Sequence, residues 1–154
     1  MAGMLSQTKS DTYNLLQKYF PERAIPGIMG NIDVETGGSF NYQQKQTGGP
    51  GYGLFQFDFQ KPYYFSWLKK EGLADSAENQ VRFVSENISG NWKTAPMNID
   101  STDRAFLQDA FKYGTDEDIA ETFMSEYENP QYPHTERRIK SAEKYRGMLT
   151  PSKL

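Results

Sequence analysis

Apolar and polar positions alternate along this chain in a way that separates helical stretches from one irregular, polar segment. Tyr13, Leu16 and Phe20 recur at helical spacing and predict a helix over residues 10–20, capped by Ser10 or Asp11 and ended by Pro21. Ile25, Ile28, Met29 and Ile32 then fall at i, i+3, i+4 and i+7, the pattern of an amphipathic helix. Pro26 suits its first turn, where a missing N–H costs nothing, and Gly37 with Gly38 supplies the backbone freedom that ends it. From 39 to 57 no helical period survives. Asn, Gln, Thr and Gly dominate, followed by Tyr52, Leu54, Phe55 and Phe57. That texture predicts a short β-hairpin or small irregular sheet turning at Gly48-Gly49-Pro50-Gly51.

Beyond Pro62 the chain reads as helices again. Residues 64–71 form one candidate, ended by Gly72. Asp75 with Glu78 has the spacing of a capping box ahead of a stripe of Ala77, Val81, Val84 and Ile88. Residues 89–99 read as a loop with Trp92 and Pro96. Ser101 or Thr102 can cap a helix that faces Phe106, Leu107, Ala110 and Phe111 inward. Thr115 with Asp118 can cap the next, with Ile119, Ala120, Phe123, Met124 and Tyr127 inside. Residues 129–133 break it, and a last helix over about 135–148 buries Ile139, Ala142 and Tyr145. The expected fold is one domain, 1–154, of the α+β class and mostly α, with a small β-hairpin region.

Composition sharpens this picture in three places. Only 36% of the 154 residues are hydrophobic, but 14% are aromatic, and large rings can build a core that the aliphatic count alone leaves thin. A net charge of -3 argues against nucleic acid as a main partner, since phosphate binding needs a basic face. The absence of cysteine excludes disulfides, thiol catalysis and thiolate metal sites. No run approaches the roughly 18 apolar residues of a membrane span. The first eleven residues lack the apolar core of a signal peptide, so synthesis in a cytoplasm and delivery by other means are expected.

The candidate chemistry centres on Glu35, at the end of its helix just before the glycine pair. It lies roughly 70° from the centre of the apolar stripe, on the border of the buried face. A helix C-terminus and partial burial both disfavour a carboxylate, the property a general acid needs. Asp33 points about 160° away around the same helix and cannot pair with it. Residues 36–57 contain no Asp or Glu, which leaves Asp58 as the nearby acid able to enter the same cleft. Other signals point nowhere. The glycine-rich stretch 48–53 lacks the Lys-Ser/Thr of a phosphate loop, and His134 has no histidine or cysteine partner for zinc. Asp116-Glu117-Asp118 reads as the acidic first turn of a helix, and residues 136–140 as a solvated helix face with internal ion pairs that can also meet anionic polymers or a neighbouring protein.

Ile28-Met29-Gly30-Asn31-Ile32-Asp33-Val34-Glu35-Thr36-Gly37-Gly38-Ser39-Phe40-Asn41, followed by Gly51-Tyr52-Gly53-Leu54-Phe55-Gln56, resembles the signature of lysozyme-like lytic enzymes. Gln80-Val81, Phe83-Val84 and Glu86 resemble the middle helix of that group. Phe123, Tyr127-Glu128-Asn129-Pro130, and then Arg137-Arg138, Ala142 and Tyr145 resemble its closing segment. The resemblance runs in order from Ile25 to Tyr145 and is strongest to phage tail lysozymes, relatives of soluble lytic transglycosylases. It implies a lysozyme-like fold in which the hairpin and a helical lobe flank a substrate cleft. It implies cleavage of the β-1,4 bond between N-acetylmuramic acid and N-acetylglucosamine in peptidoglycan, without metal or other cofactor. Glu35 would be the general acid/base, Gln56 would reach the sugar or the acid, Tyr52 and Phe55 would shape the cleft floor, and Tyr127 would contact the acid. The implied partners are glycan strands and other virion or tail proteins, and the implied place is the virion, acting on the host wall. An endolysin released into the wall fits the sequence equally well.

Two mechanisms stay open at this stage: closure of a 1,6-anhydro ring with one carboxylate, or hydrolysis with Asp58 activating water. Two rivals also remain, a non-enzymatic virion or glycan-binding component that keeps the fold, and a chitinase-like glycosidase.

Overall fold

The computed structural model describes residues 5–89, 100–130 and 132–149. Within them the order is α1 (Gln7–Tyr19), a 3-10 turn (Glu22–Ala24), α2 (Ile25–Thr36), a long irregular segment, then α3 (Lys61–Glu71), α4 (Ala77–Ser89), α5 (Ser101–Tyr113), α6 (Asp116–Thr122), a π-helical turn (Phe123–Glu128) and α7 (Thr135–Leu149). The expected loop over 89–99, with Trp92 and Pro96, lies almost wholly outside the described residues. Among those residues, no helix is long and apolar enough to cross a membrane.

The helix α2 is the central element. Ile25, Ile28, Met29 and Ile32 are fully buried as their spacing predicts, but Pro26, Gly27, Gly30 and Asn31 on the other faces are buried too. The hydrophobic stripe therefore understated this helix. Small residues let two neighbours approach closely: a Cβ at Gly27 would lie 2.5 Å from the Ile119 side chain, and one at Gly30 would lie 2.6 Å from the Ala142 backbone nitrogen. The helices α6 and α7 thus close over what a pattern of apolar residues alone would leave facing solvent.

The predicted β-hairpin does not form. Among the described residues of this region only two isolated antiparallel bridges occur, Lys45 with Tyr52 and Tyr52 with Phe57. Positive φ angles at Phe40 (50°), Gly48 (74°), Gly53 (84°) and Gln56 (48°) turn the chain too often for an extended run. Side chains replace the missing ladder. Gln80 of α4, fully buried, accepts the Leu54 N–H at 2.9 Å and donates to the Tyr42 carbonyl at 2.9 Å. Gly53 is required beneath it, because a Cβ there would stand 2.5 Å from the Gln80 amide oxygen.

Aromatic residues do fill the core as composition suggested. Phe57, Tyr64, Trp67 and Phe83 pack with ring centroids 5.1 to 6.3 Å apart under the irregular segment. Caps differ from the expected ones in several places. Ser6, not Ser10 or Asp11, caps α1. Ser76 bonds the Asn79 N–H at the start of α4, while Asp75 accepts the Tyr52 and Tyr64 hydroxyls instead of closing a capping box. Asp100 caps α5, whose Phe106 is exposed, not inward. The Thr115–Asp118 capping box forms as read.

Candidate active site

A groove of about 410 Å³ opens where the end of α2, the irregular segment and the start of α7 meet. Its lining includes Glu35, Gln56, Asp58, Phe59, Tyr132 and Arg138. Glu35 reaches this position because α2 ends one residue later, with Gly37 in the left-handed conformation (φ 59°). The next turn is pinned by Thr36, whose hydroxyl donates to the Ile32 carbonyl at 2.7 Å and accepts the Phe40 N–H at 3.1 Å. Phe40 then packs edge-on against Tyr145 of α7 at 5.8 Å. The Glu-Thr-Gly-Gly-x-Phe run is thereby a device for ending a helix sharply under a carboxylate.

The Glu35 side chain is 14% exposed and one oxygen accepts from Arg138 Nη2 at 2.7 Å. Arg138 itself is buried, not part of a solvated face as residues 136–140 suggested. Its Nη1 donates to Glu128 Oε2 at 2.7 Å and to Asn31 Oδ1 at 2.8 Å, and its Nε donates to the Pro133 carbonyl. Asn31 completes the knot by donating to the Gly27 and Ala120 carbonyls at 2.9 and 3.1 Å. The π-helical turn delivers Glu128 to this point, and Asn129 ends it in the left-handed conformation (φ 44°). Burial and the neighbouring Glu35 charge push the Glu128 carboxyl well above the ordinary glutamate range, with Arg138 pulling the other way.

Of the residues singled out from sequence, Glu35, Phe55, Gln56 and Asp58 share the groove. Phe55 is buried, stacked on Phe57 and tilted against Phe123, each at 5.9 Å, so little of it is open to the groove. The Gln56 amide nitrogen donates to the Gln44 and Gly53 carbonyls at 3.0 and 2.8 Å, so this residue also braces the loop. Asp58 is exposed on the rim. Tyr52 and Tyr127 do not line the groove. The Tyr52 hydroxyl is turned to Asp75, and the buried Tyr127 hydroxyl accepts from Asn87 at 3.0 Å. Asp33 pairs with Lys144 at 3.1 Å, away from Glu35.

Sequence reasoning missed Glu128, Asn31 and Arg138 as partners of the acid, and Phe59 and Tyr132 as exposed rings on the groove. For Arg138 a signal existed: with Ala142 and Tyr145 it falls at i, i+4 and i+7, a buried face of α7. For Asn31 none did, since a lone polar residue on a helix has no pattern.

A search of curated proteins finds no match to this chain. A family model described as phage tail lysozyme matches residues 7–149, a span that takes in every residue of the groove. The chain belongs to the phage tail lysozyme family.

Proposed function

We propose that this protein cuts the β-1,4 bond between N-acetylmuramic acid and N-acetylglucosamine, with Glu35 as general acid and then base. The family implies phage-encoded degradation of peptidoglycan. The observation that carries it is the Glu35 carboxyl, 14% exposed, at a helix end in a polar groove flanked by exposed rings. Such a group can meet a bridging sugar oxygen while staying mostly out of water. Phe59 (50% exposed) and Tyr132 (68%) offer apolar faces on which pyranose rings can rest.

In the reaction, Glu35 gives its proton to the bridging oxygen as the C1–O bond breaks. The resulting carboxylate then takes a proton from the muramyl C6 hydroxyl as that oxygen closes on C1. No second carboxylate is needed. One observation favours a second route: Asp58 stands on the same groove and can activate water, giving an ordinary reducing end.

Clearing of purified peptidoglycan by the Glu35→Gln variant tests the reading. The expected loss is about a hundred- to ten-thousand-fold in a variant whose circular dichroism shows it still folded. Full wall clearing by that variant would falsify it, leaving a binding or structural component. Mass spectra of the fragments then separate anhydro from reducing ends, and chitin oligomers offered in parallel separate a chitinase-like glycosidase.

A further inference from the structure

The reaction assigned to Glu35 gives Glu128 no task, yet Glu128 is the more deeply buried of the two acids, with its side chain only 2% exposed. Its Oε2 accepts from Arg138 Nη1 at 2.7 Å. Its Oε1 is buried and meets no N–H or O–H donor among the described residues. The Glu35 carboxyl sits on the same guanidinium, its Oε1 accepting from Arg138 Nη2 at 2.7 Å. Arg138 is permanently cationic, so two ionised carboxylates around it would leave one uncompensated negative charge in a nearly dry space. One added proton removes that charge. A lone glutamate beside a guanidinium, by contrast, favours its charged form, which is the wrong one for an acid.

We propose that Glu128 is the positioning residue of this site: it keeps one proton in the Glu35–Glu128 pair and, through the shared Arg138, fixes the direction in which Glu35 presents that proton to the groove. This rests on Glu35 being the acid. The proton count closes over a turnover. The pair starts with one proton, loses it to the leaving oxygen, and is doubly ionised around Arg138 while the sugar C1 carries positive charge. It regains one proton when the attacking hydroxyl adds to C1. The charged or titratable groups around the pair are Glu35 from α2, Glu128 from the π-helical turn and Arg138 from α7, with Asp58 and His134 exposed along the groove.

The pH–rate profile of the full chain on purified peptidoglycan tests this with Glu128→Gln, which keeps the hydrogen-bonding shape but removes the second acid. The alkaline limb should move down by at least about one pH unit, costing about tenfold in kcat on that limb. KM should stay within about twofold, and activity should recover toward acid pH. An alkaline limb that stays in place, with equal loss at every pH, overturns the proposal. An infrared titration of the unsubstituted chain covers the case in which this variant fails to fold. A carboxylic-acid C=O band should persist at neutral pH and vanish in Glu35→Gln. A band that is absent, or that survives in Glu35→Gln as the separate Glu126–Asp103 pair would produce, overturns it as well. Glu35→Gln that still clears walls sinks the proposed function itself. Glu35→Gln that is inactive while the band is missing sinks only the role of Glu128.

Discussion

On one wall of the groove, α2, α7 and the π-helical turn hold the acid with charge: one buried guanidinium joins Glu35, Glu128 and Asn31 at 2.7 to 2.8 Å. On the opposite wall, residues 37–60 are shaped by amide and phenol hydrogen bonds. These converge on Gln80 and Asp75, with Gln60 tying the segment to the Tyr127 carbonyl at 3.0 Å. The ionic wall is expensive to break, because each member left behind is a buried charge. The amide wall is a set of amide and phenol bonds around a turn-rich backbone, with the Asp75 carboxylate accepting from Tyr52, Tyr64 and Gln80. Under the proposed function, the direction of the proton would depend on the first wall and the fit of the glycan on the second.

Removing the centre of the ionic wall should have the largest effect. Arg138→Met leaves two facing carboxyls without their cation and Asn31 Oδ1 without its guanidinium donor. The expected cost is about 3–5 kcal/mol, read by urea denaturation, together with loss of wall clearing. Gln80→Ala attacks the other wall. The Leu54 N–H and Tyr42 carbonyl lose their partner, for an expected cost of about 1–3 kcal/mol. Hydrogen exchange should show the protection lost within residues 42–57, and KM should rise more than kcat falls. A uniform loss of protection through α2 and α7 would show instead that the two walls form one cooperative unit.

The same division governs what could be read from the chain. Helix positions were legible because apolar periodicity records burial: the Ile25 to Ile32 stripe and the Ile119 to Tyr127 face lie inside as expected. Glu35 and Asp58 were legible as groove acids because the helix end and the acid-free stretch beside it narrowed the choice. The irregular wall reads as a hairpin in sequence, since alternating apolar residues look alike whether a ladder or a glutamine holds the backbone. Arg138 reads as solvated because an arginine between Glu136 and Lys140 looks like part of a surface ion-pair run. Its burial follows from Gly30, which lets the α7 backbone approach so closely that a Cβ there would meet the Arg138 carbonyl at 2.7 Å.

A pH series sharpens the ionic side of the comparison. The Glu128 carboxyl is raised in the folded protein above its ordinary value of 4.5, so the folded state holds a proton that the unfolded chain has released. Stability from this group is complete below that ordinary value and falls as pH rises toward the raised folded value. The slope is at most one proton, about 1.4 kcal/mol per pH unit. Wild type should lose stability relative to Glu128→Gln across that window, measured by thermal melts at matched ionic strength. Equal pH slopes for the two proteins would mean that Glu128 is charged throughout.

The smallest effect is expected on the amide wall, at Tyr52. Its backbone pairs with Phe57 at 3.1 and 2.8 Å, its ring lies 5.8 Å from Phe65 and from Lys61 Nζ, and its hydroxyl donates to Asp75. Burial and that carboxylate push the phenol up, so it remains a donor. Tyr52→Phe removes one bond but does not orphan Asp75, which keeps the Tyr64 hydroxyl at 2.6 Å and Gln80 Nε2 at 3.1 Å. The expected cost is about 1 kcal/mol, with kcat and KM both unchanged, because the hydroxyl braces the loop from behind the groove. A raised KM at an unchanged melting temperature would instead place that hydroxyl on the sugar, and the amide wall would then carry recognition through a residue that does not line the groove.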